Sequence, residues 1–94
     1  MIFSKEEVSK KVGNRIREIR ISKGLSMEKL ATETGIEYSQ LSRIELGKIN
    51  TSIYHLYIIS NSLKVPTQEL MNPLIPTTKT KSTDKFSEDG RSRK

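Results

Sequence analysis

The sequence predicts an all-α fold, a compact bundle of five short helices, and three observations support it. Apolar residues recur at intervals of three and four, which places them on one face of a helix. Glycines and helix-capping residues divide the chain into short segments at regular points. With 94 residues, 33% of them hydrophobic and none of them tryptophan, the chain can bury one small core of aliphatic side chains.

Two helices are predicted in the first third of the chain. Ser4 and Glu7 form a capping-box pattern at the start of the first helix. The apolar face of this helix consists of Val8, Val12, Ile16 and Ile19. Gly24 ends it, because glycine adopts the left-handed backbone conformation without steric cost. Ser26 caps the second helix, MEKLATET, and Gly35 ends it. Its inward residues are expected to be Leu30, Ala31 and Thr34.

A third and a fourth helix follow. The third runs from about residue 38 to 46 and ends at Gly47, with Leu41 and Ile44 buried. Thr51 or Asn50 is the predicted cap of the fourth helix, roughly residues 52–63. The inward face of the fourth helix is expected to carry Ile53, Leu56, Ile59 and Leu63.

The chain changes character near residue 72. Pro66 suits the first turn of a short fifth helix that ends near Met71. After Asn72 the sequence is rich in proline, threonine, serine and lysine and lacks apolar periodicity, which predicts a disordered tail. We therefore predict a helical domain over residues 1–72 and a flexible basic tail over residues 73–94.

The net charge of +6 indicates a polyanionic partner, either nucleic acid or an anionic membrane surface. Residues 1–72 contain 11 Lys and Arg against 8 Glu, and residues 73–94 contain 6 against 3 acidic residues, so half of the excess lies in the tail. Asp84, Glu88 and Asp89 interrupt the basic residues of the tail. This mixture argues against a membrane surface and leaves nucleic acid as the expected partner.

Several classes of function find no support in the sequence. The absence of cysteine excludes a disulfide framework and a thiolate zinc site. There is neither a glycine-rich phosphate loop nor a nucleophile with a positioned base, so we expect no enzymatic activity, no cofactor and no metal. No apolar run approaches the roughly 18 residues of a membrane span or matches a signal peptide. We expect a cytoplasmic protein with no small-molecule effector.

The central segment has the pattern of a helix-turn-helix, in which alanine allows close approach, glycine makes the turn and apolar residues share a core. The residues of this pattern are Leu30, Ala31, Gly35, Ile36, Leu41 and Ile44. With the stretches "IREIRISKGLS", "LATETGI", "LSRIELGK" and "LKVPTQELM", the chain resembles the Xre family of helix-turn-helix regulators over about residues 12–71. The family includes lambdoid phage repressors, Cro and the controller proteins of restriction-modification systems. The resemblance implies a lambda-repressor-like DNA-binding fold.

The resemblance also implies that the third helix enters the major groove of DNA with its N-terminal end toward the bases. The positions that the family uses for contacts to bases and nearby phosphates hold Tyr38, Ser39, Ser42 and Arg43. Arg43 suits a guanine, since its two donors match the O6 and N7 acceptors. Glu37, at the start of this helix, either caps free amides or accepts from a cytosine amino group.

The candidates for phosphate contacts are Arg15, Lys23, Met27, Gln40 and Lys48. Met27 stands where relatives commonly have a phosphate-binding glutamine, and methionine cannot donate a hydrogen bond. The backbone amides at this position are therefore the candidate donors. Gln40 lies slightly off the reading face, and packing, phosphate contact and base contact all stay open for it. Leu46 and Thr51 also depart from the family pattern, which more often has a polar residue and a proline there.

Arg20 and Glu45 match a pair that forms a partly buried salt bridge in similar repressors. Each also lies beside a core position, Ile19 and Ile44 respectively. We therefore predict that Arg20 ties the first helix to the end of the third rather than contacting DNA.

One recognition helix reads too few base pairs to single out an operator, so two copies on half-sites about 34 Å apart are expected. The apolar side chains beyond the needs of the core are the candidate dimer interface: Tyr54, Tyr57, Ile58, Leu74 and Ile75. For Tyr57 and Ile58, completion of the monomer core is the alternative. The sequence thus predicts a homodimeric transcriptional regulator, a repressor or controller protein, that binds a palindromic operator in double-stranded DNA. The competing hypothesis is an antitoxin that neutralises a partner protein and represses its own operon.

Overall fold

The computed structural model describes residues 2–75, which form four α-helices followed by a 3₁₀ helix. The helices are α1 (Lys5–Ser22), α2 (Met27–Thr34), α3 (Tyr38–Glu45), α4 (Ile53–Leu63) and the 3₁₀ helix (Thr67–Leu74). The predicted all-α fold with five helices is confirmed. Residues 76–94, most of the predicted disordered tail, lie outside the described residues.

The predicted starts of α1 and α2 are confirmed by their hydrogen bonds. At α1 the backbone N–H of Ser4 donates to Glu7 Oε1 at 2.8 Å, and the N–H of Glu7 donates to Ser4 Oγ at 3.1 Å. At α2 the Ser26 hydroxyl accepts from the N–H of Lys29 at 3.0 Å. Gly35 ends α2 with a φ of 76°, a left-handed conformation that glycine tolerates best. The turn between α2 and α3 is therefore encoded locally.

The predicted cap of α4 is wrong by one residue. Ser52, not Thr51 or Asn50, caps this helix, and its hydroxyl accepts from the N–H of His55 at 3.0 Å. Three adjacent residues have capping side chains, and the register of the helix decides among them. Ile53 is then the first helical residue and is 84% exposed, so its predicted inward position is also wrong. The preceding loop packs Ile49 against the core instead.

The fifth helix differs from the prediction in its extent and in the position of Pro66. It is a 3₁₀ helix, and Pro66 is its N-cap rather than part of its first turn. Its tighter hydrogen bonding is visible in the N–H of Glu69, which donates to the Pro66 carbonyl oxygen at 2.9 Å. The helix passes through the proposed boundary at residue 72 and includes Pro73, which has no N–H to donate. The division into residues 1–72 and 73–94 stays a prediction.

A single aliphatic core joins all five helices. Its buried residues are Val12, Ile16, Ile19, Leu30, Ile36, Leu41, Ile44, Ile59, Leu63 and Leu70. α3 packs against both α1 and α2, whereas α4 packs against α2 and the 3₁₀ helix. One side of α3 is thus held by the rest of the protein, and its opposite side faces outward.

Candidate nucleic-acid interface

The inner side of α3 is fixed by burial. Leu41 is fully buried, Ile44 nearly so, and Glu45 at the last helical position is also buried. Residues three positions apart lie on the same face of an α-helix, so Leu41 and Ile44 form one apolar stripe that packs into the core. The orientation of α3 about its own axis follows from this stripe.

The outer side of α3 brings together the four residues predicted to read bases. Tyr38 is 50% exposed, Ser39 and Arg43 are exposed, and Ser42 is half-buried. Within residues 2–75 these four side chains make neither a hydrogen bond to the protein nor an ion pair. Their donors and acceptors are available for a ligand on this side.

An ion pair between Arg20 and Glu45 holds the C-terminal end of α3 to α1. Arg20 Nε donates to Glu45 Oε2 at 2.7 Å and Arg20 Nη2 donates to Oε1 at 3.1 Å, the fork geometry that arginine and a carboxylate favour. Arg20 Nη1 also donates to the carbonyl oxygen of Leu25 at 2.8 Å. Both partners are buried. Arg20 therefore joins α1, α3 and the α1–α2 turn, and its guanidinium faces the protein.

Two glycines bring α1 into direct contact with the end of α3. A Cβ atom at Gly13 would overlap the carbonyl oxygen of Ile44 and would lie 2.8 Å from that of Glu45. A Cβ atom at Gly47 would lie 2.6 Å from the Cα of Lys10. Because only glycine lacks this atom, the backbones approach here more closely than other residues permit. The N-terminal half of α1 is consequently locked alongside the end of α3.

Lys48 lies just beyond α3 and is exposed. α3 ends in a Schellman motif. The N–H of Gly47 donates to the carbonyl oxygen of Ile44 at 3.0 Å, and the N–H of Lys48 donates to the carbonyl oxygen of Arg43 at 2.9 Å. Gly47 takes a positive φ of 72°. This fixed turn places Lys48 directly after the C-terminal end of α3.

Two further candidates for phosphate contacts are Met27, at the start of α2, and Gln40, in α3. The Met27 side chain packs against the core, while its backbone starts α2, where the first amides have no partner within the helix. Gln40 is half-buried, and its Nε2 lies 3.5 Å from Nδ1 of His55 in α4. Of the roles left open for Gln40, this contact supports packing between α3 and α4.

Arg15 and Lys23, the other two predicted phosphate contacts, lie elsewhere. Arg15 faces the 3₁₀ helix, where its Nη2 lies 3.0 Å from Glu69 Oε1 and its Nε donates to the Glu69 carbonyl oxygen at 3.2 Å. Lys23 lines a surface depression with Leu25 and Lys64, beside the C-terminal end of α4. Neither side chain lies beside α3. The packing of the helices, rather than the local spacing of residues, decides which neighbours Arg15 and Lys23 contact.

The five residues of the candidate dimer interface divide into two groups. Tyr54 and Tyr57 are 66% and 56% exposed, and their ring centroids lie 6.5 Å apart on α4. Ile75 is also exposed. Ile58 and Leu74, in contrast, are half-buried and pack against the core. Ile58 thus follows the alternative of completing the monomer core, whereas Tyr57 does not.

Sequence reasoning missed a basic surface beside α3. A shallow depression joins the middle of α1 to the end of α3, and its lining consists of Lys10, Lys11, Asn14, Arg17, Glu45 and Leu46. Lys10, Asn14 and Arg17 recur at helical spacing on the polar face of α1, which was the available signal. The sequence does not show that this face borders α3, because that depends on how the helices pack.

Two short helices joined by a glycine turn, with the second presenting an open polar side, define a helix-turn-helix protein of the kind that binds DNA. The helix-turn-helix family model HTH_3 matches residues 16–70, and the chain belongs to this family. The family resemblance inferred from the sequence motifs is thereby confirmed. The protein is a DNA-binding regulator of transcription by family.

Similar proteins include a control protein and an HTH-type transcriptional regulator. Control protein C.BamHI of Bacillus amyloliquefaciens is 38% identical over 61 residues, 64% of this chain and 75% of that protein. The HTH-type transcriptional regulator y4dJ of Sinorhizobium fredii is 31% identical over 67 residues, 71% of this chain and 87% of the relative.

A similar solved structure is the restriction-modification controller protein C.AhdI from Aeromonas hydrophila. It shares 34% identity and a TM-score of 0.64, covering 68% of this chain and 96% of the controller. Both the sequence and the structural comparisons therefore include controller proteins.

Two other kinds of feature are absent from residues 2–75. No helix there combines the length and apolar character needed to cross a membrane. The same residues contain no group of three or more His, Cys, Asp and Glu side chains that could hold a metal ion. The outer side of α3 is the candidate functional site.

Proposed function

We propose that this protein regulates transcription by binding a palindromic operator in double-stranded DNA as a homodimer, with α3 of each protomer in a major groove. The observation that carries the proposal is the two-sided character of α3. Its inner side is anchored by Leu41, Ile44 and the Glu45 ion pair, while its outer side keeps its polar groups available. A rigid helix with an open polar side is the arrangement that direct readout of bases requires.

The four residues on the outer side have chemistry suited to base edges. Arg43 presents two parallel donors to the O6 and N7 acceptors of a guanine. Ser39 and Ser42 donate or accept, and Tyr38 offers its ring to a thymine methyl and its hydroxyl to a phosphate. Glu37 makes no side-chain cap to α3, so the hydrogen bond to a cytosine amino group stays available to it.

Phosphate contacts position the reading helix on the duplex. The exposed ammonium group of Lys48, next to the end of α3, supplies one such contact. The free backbone amides at Met27, at the start of α2, supply another, because a helix N-terminus attracts anions. These contacts add affinity at every sequence and do not choose among bases.

Selection of bound duplexes from a random DNA pool tests the base-reading role. Wild type should enrich a two-fold symmetric site, and Arg43→Ala should relax one guanine position in each half-site at a cost of about 1–3 kcal/mol. Lys48→Ala is the matched control, since it removes the same charge nearby and should weaken binding about equally at all sequences.

The outcome of this selection separates the two functional hypotheses. A relaxed position in Lys48→Ala and none in Arg43→Ala would contradict the assigned roles. Failure of the wild type to enrich any site, in low salt and with a confirmed dimer, would reject operator binding. The antitoxin hypothesis would then take its place, with a partner protein as the ligand.

The proposed dimer interface lies on α4 and around the end of the 3₁₀ helix. Ile53, Tyr54 and Tyr57 form an exposed apolar stripe at positions one, two and five of α4. Ile75 adds a further exposed apolar group after the 3₁₀ helix, which packs on α4. Aromatic side chains are enriched at protein interfaces because they bury a large area at little entropic cost.

Sedimentation of Tyr57→Asp tests this interface. The charge should produce monomers, whereas Ile21→Asp, at an exposed apolar residue on α1, should leave the dimer intact. A Tyr57→Asp protein of normal dimer mass would show that the copies associate through another surface. Circular dichroism melting of both variants ensures that folded proteins are compared.

A further inference from the structure

A basic strip runs along α1 next to the reading helix. We define it as Lys10, Asn14 and Arg17, which recur at intervals of four and three and therefore share one face of α1. All three are exposed. They line the depression that reaches the end of α3, and Leu46, 57% exposed, lines the same depression. The basic strip therefore borders the C-terminal end of α3.

The position of the basic strip is fixed by the backbone. Gly13 lies against the carbonyl groups of Ile44 and Glu45, and Lys10 lies against Gly47. Neither contact leaves room for a side chain between α1 and α3. The strip therefore keeps its place relative to Arg43 and Lys48 and needs no rearrangement before binding.

The cations of the basic strip are not neutralised by the protein residues that the structure describes. Lys10 and Arg17 form no ion pair within residues 2–75, whereas Arg15, Arg20 and Lys29 each do. The Glu45 carboxylate, which borders the depression, already accepts from Arg20 with both oxygens. Positive charge beside α3 is thus concentrated and unpaired.

We infer that the basic strip is a second phosphate-binding surface, which holds the DNA backbone alongside the C-terminal end of the reading helix. This inference rests on the proposed DNA-binding function. Lys10 and Arg17 are seven residues apart, about 10 Å along the helix axis, so they bind different phosphates. Asn14 between them donates a neutral hydrogen bond. The surface extends the footprint of each protomer beyond the bases that α3 reads, without adding sequence preference.

The salt dependence of DNA binding tests the inference. Affinity for the duplex enriched by selection, and for a duplex of scrambled sequence, is measured between 50 and 200 mM KCl. Each phosphate contact contributes about 0.9 to the slope of log affinity against log salt. Lys10→Gln/Arg17→Gln should lower the slope by about 2 per bound protomer on both duplexes. The ratio of wild-type affinity to variant affinity should therefore fall by about tenfold per protomer between 50 and 200 mM KCl.

A charge-matched pair of single variants separates local contact from net charge. Lys10→Gln should lower the slope by about 1, whereas Lys64→Asn should leave it unchanged. Lys64 lies at the end of α4, in the depression that Lys23 lines, and asparagine tolerates its positive φ of 62°. Both variants lose one positive charge, so a difference between them reports position.

Three results would overturn the inference. An unchanged slope in Lys10→Gln/Arg17→Gln, with wild type binding DNA, would show that the strip does not touch phosphates. A lower melting temperature with an unchanged slope would assign the cations to the negative end of the α3 dipole instead. A changed base preference would make them base readers. If wild type binds neither duplex, the proposed function itself fails, which is a distinct outcome.

Discussion

The two sides of α3 differ in what holds them. On the inner side, every group has a protein partner: Leu41 and Ile44 lie in the core and Glu45 is bonded twice to Arg20. On the outer side, Tyr38 and Arg43 have no side-chain hydrogen bond within the described residues. The difference shows how eight residues serve both purposes. Packing sets the position of the helix, and the side chains that packing does not use are available to a ligand.

The comparison predicts that substitutions on the inner side damage stability and binding together, whereas those on the outer side affect binding alone. The four predictions below run from the largest expected effect on the free energy of unfolding to the smallest.

Arg20→Met should destabilise the protein by about 3–5 kcal/mol, because it leaves the Glu45 carboxylate buried without a partner. Circular dichroism melting measures the effect. The double variant Arg20→Met/Glu45→Leu should recover most of the loss, since no buried charge remains. An unchanged midpoint in the single variant, or no recovery in the double, would show that the ion pair is not what holds α3 to α1.

Gly13→Ala should destabilise the protein by about 2 kcal/mol, because the added methyl group forces α1 away from the carbonyl oxygens of Ile44 and Glu45. Affinity for DNA should fall as well, since the end of α3 shifts. Gly24→Ala is the control: no atom lies within 4 Å of its added Cβ, and its only cost is the positive φ of 71°. Equal loss of DNA affinity in both variants would contradict the proposed role of close packing.

Thr51→Val should stabilise the protein by about 1 kcal/mol. The Thr51 hydroxyl is buried and has no hydrogen-bond partner among residues 2–75, so folding strips it of water without compensation. Valine has nearly the same shape and no hydroxyl. Denaturant unfolding of Thr51→Val and of Thr51→Ser, which keeps the hydroxyl, checks this. If Thr51→Ser is also more stable than wild type, the unpaired hydroxyl is not the cause of the stabilisation.

Arg43→Ala should change the free energy of unfolding by no more than about 0.5 kcal/mol, as is usual for exposed side chains without partners. Its melting curve should overlay that of wild type even though its DNA preference is altered. A clear loss of stability would mean that the outer side of α3 also contributes to the fold, and the distinction between the two sides would fail.

Most of the fold was predictable because its signals are local. The Ser4 and Ser26 caps, the Gly35 turn and the apolar spacing of α1 each depend on residues within a few positions of one another. The errors arose where neighbouring residues offered equivalent choices, as with the three consecutive capping side chains that end at Ser52. The end of the fifth helix was predicted near Met71, whereas the 3₁₀ helix continues to Leu74 and includes Pro73.

In the candidate site, the residues on α3 were easier to predict than the basic residues around it. Family resemblance placed Tyr38, Ser39, Ser42 and Arg43 on one helix, and the structure puts them on its open side. The choice among cations was less successful. Arg15 looked equivalent to other basic residues of α1, yet it pairs with Glu69, 54 positions away.

The sequence by itself determined the helices, the glycine turn and the helix that carries the candidate site, because periodicity, caps and turn residues act over a few positions. Only the tertiary structure decided which charges are paired and which face outward. It turned Arg15 toward Glu69 and buried Arg20 against Glu45. It left Lys10 and Arg17 beside the end of α3 without an ion pair to any of residues 2–75. The physical reason is that the partner of a charge depends on how distant helices pack, and the close approach at Gly13 and Gly47 sets that packing here.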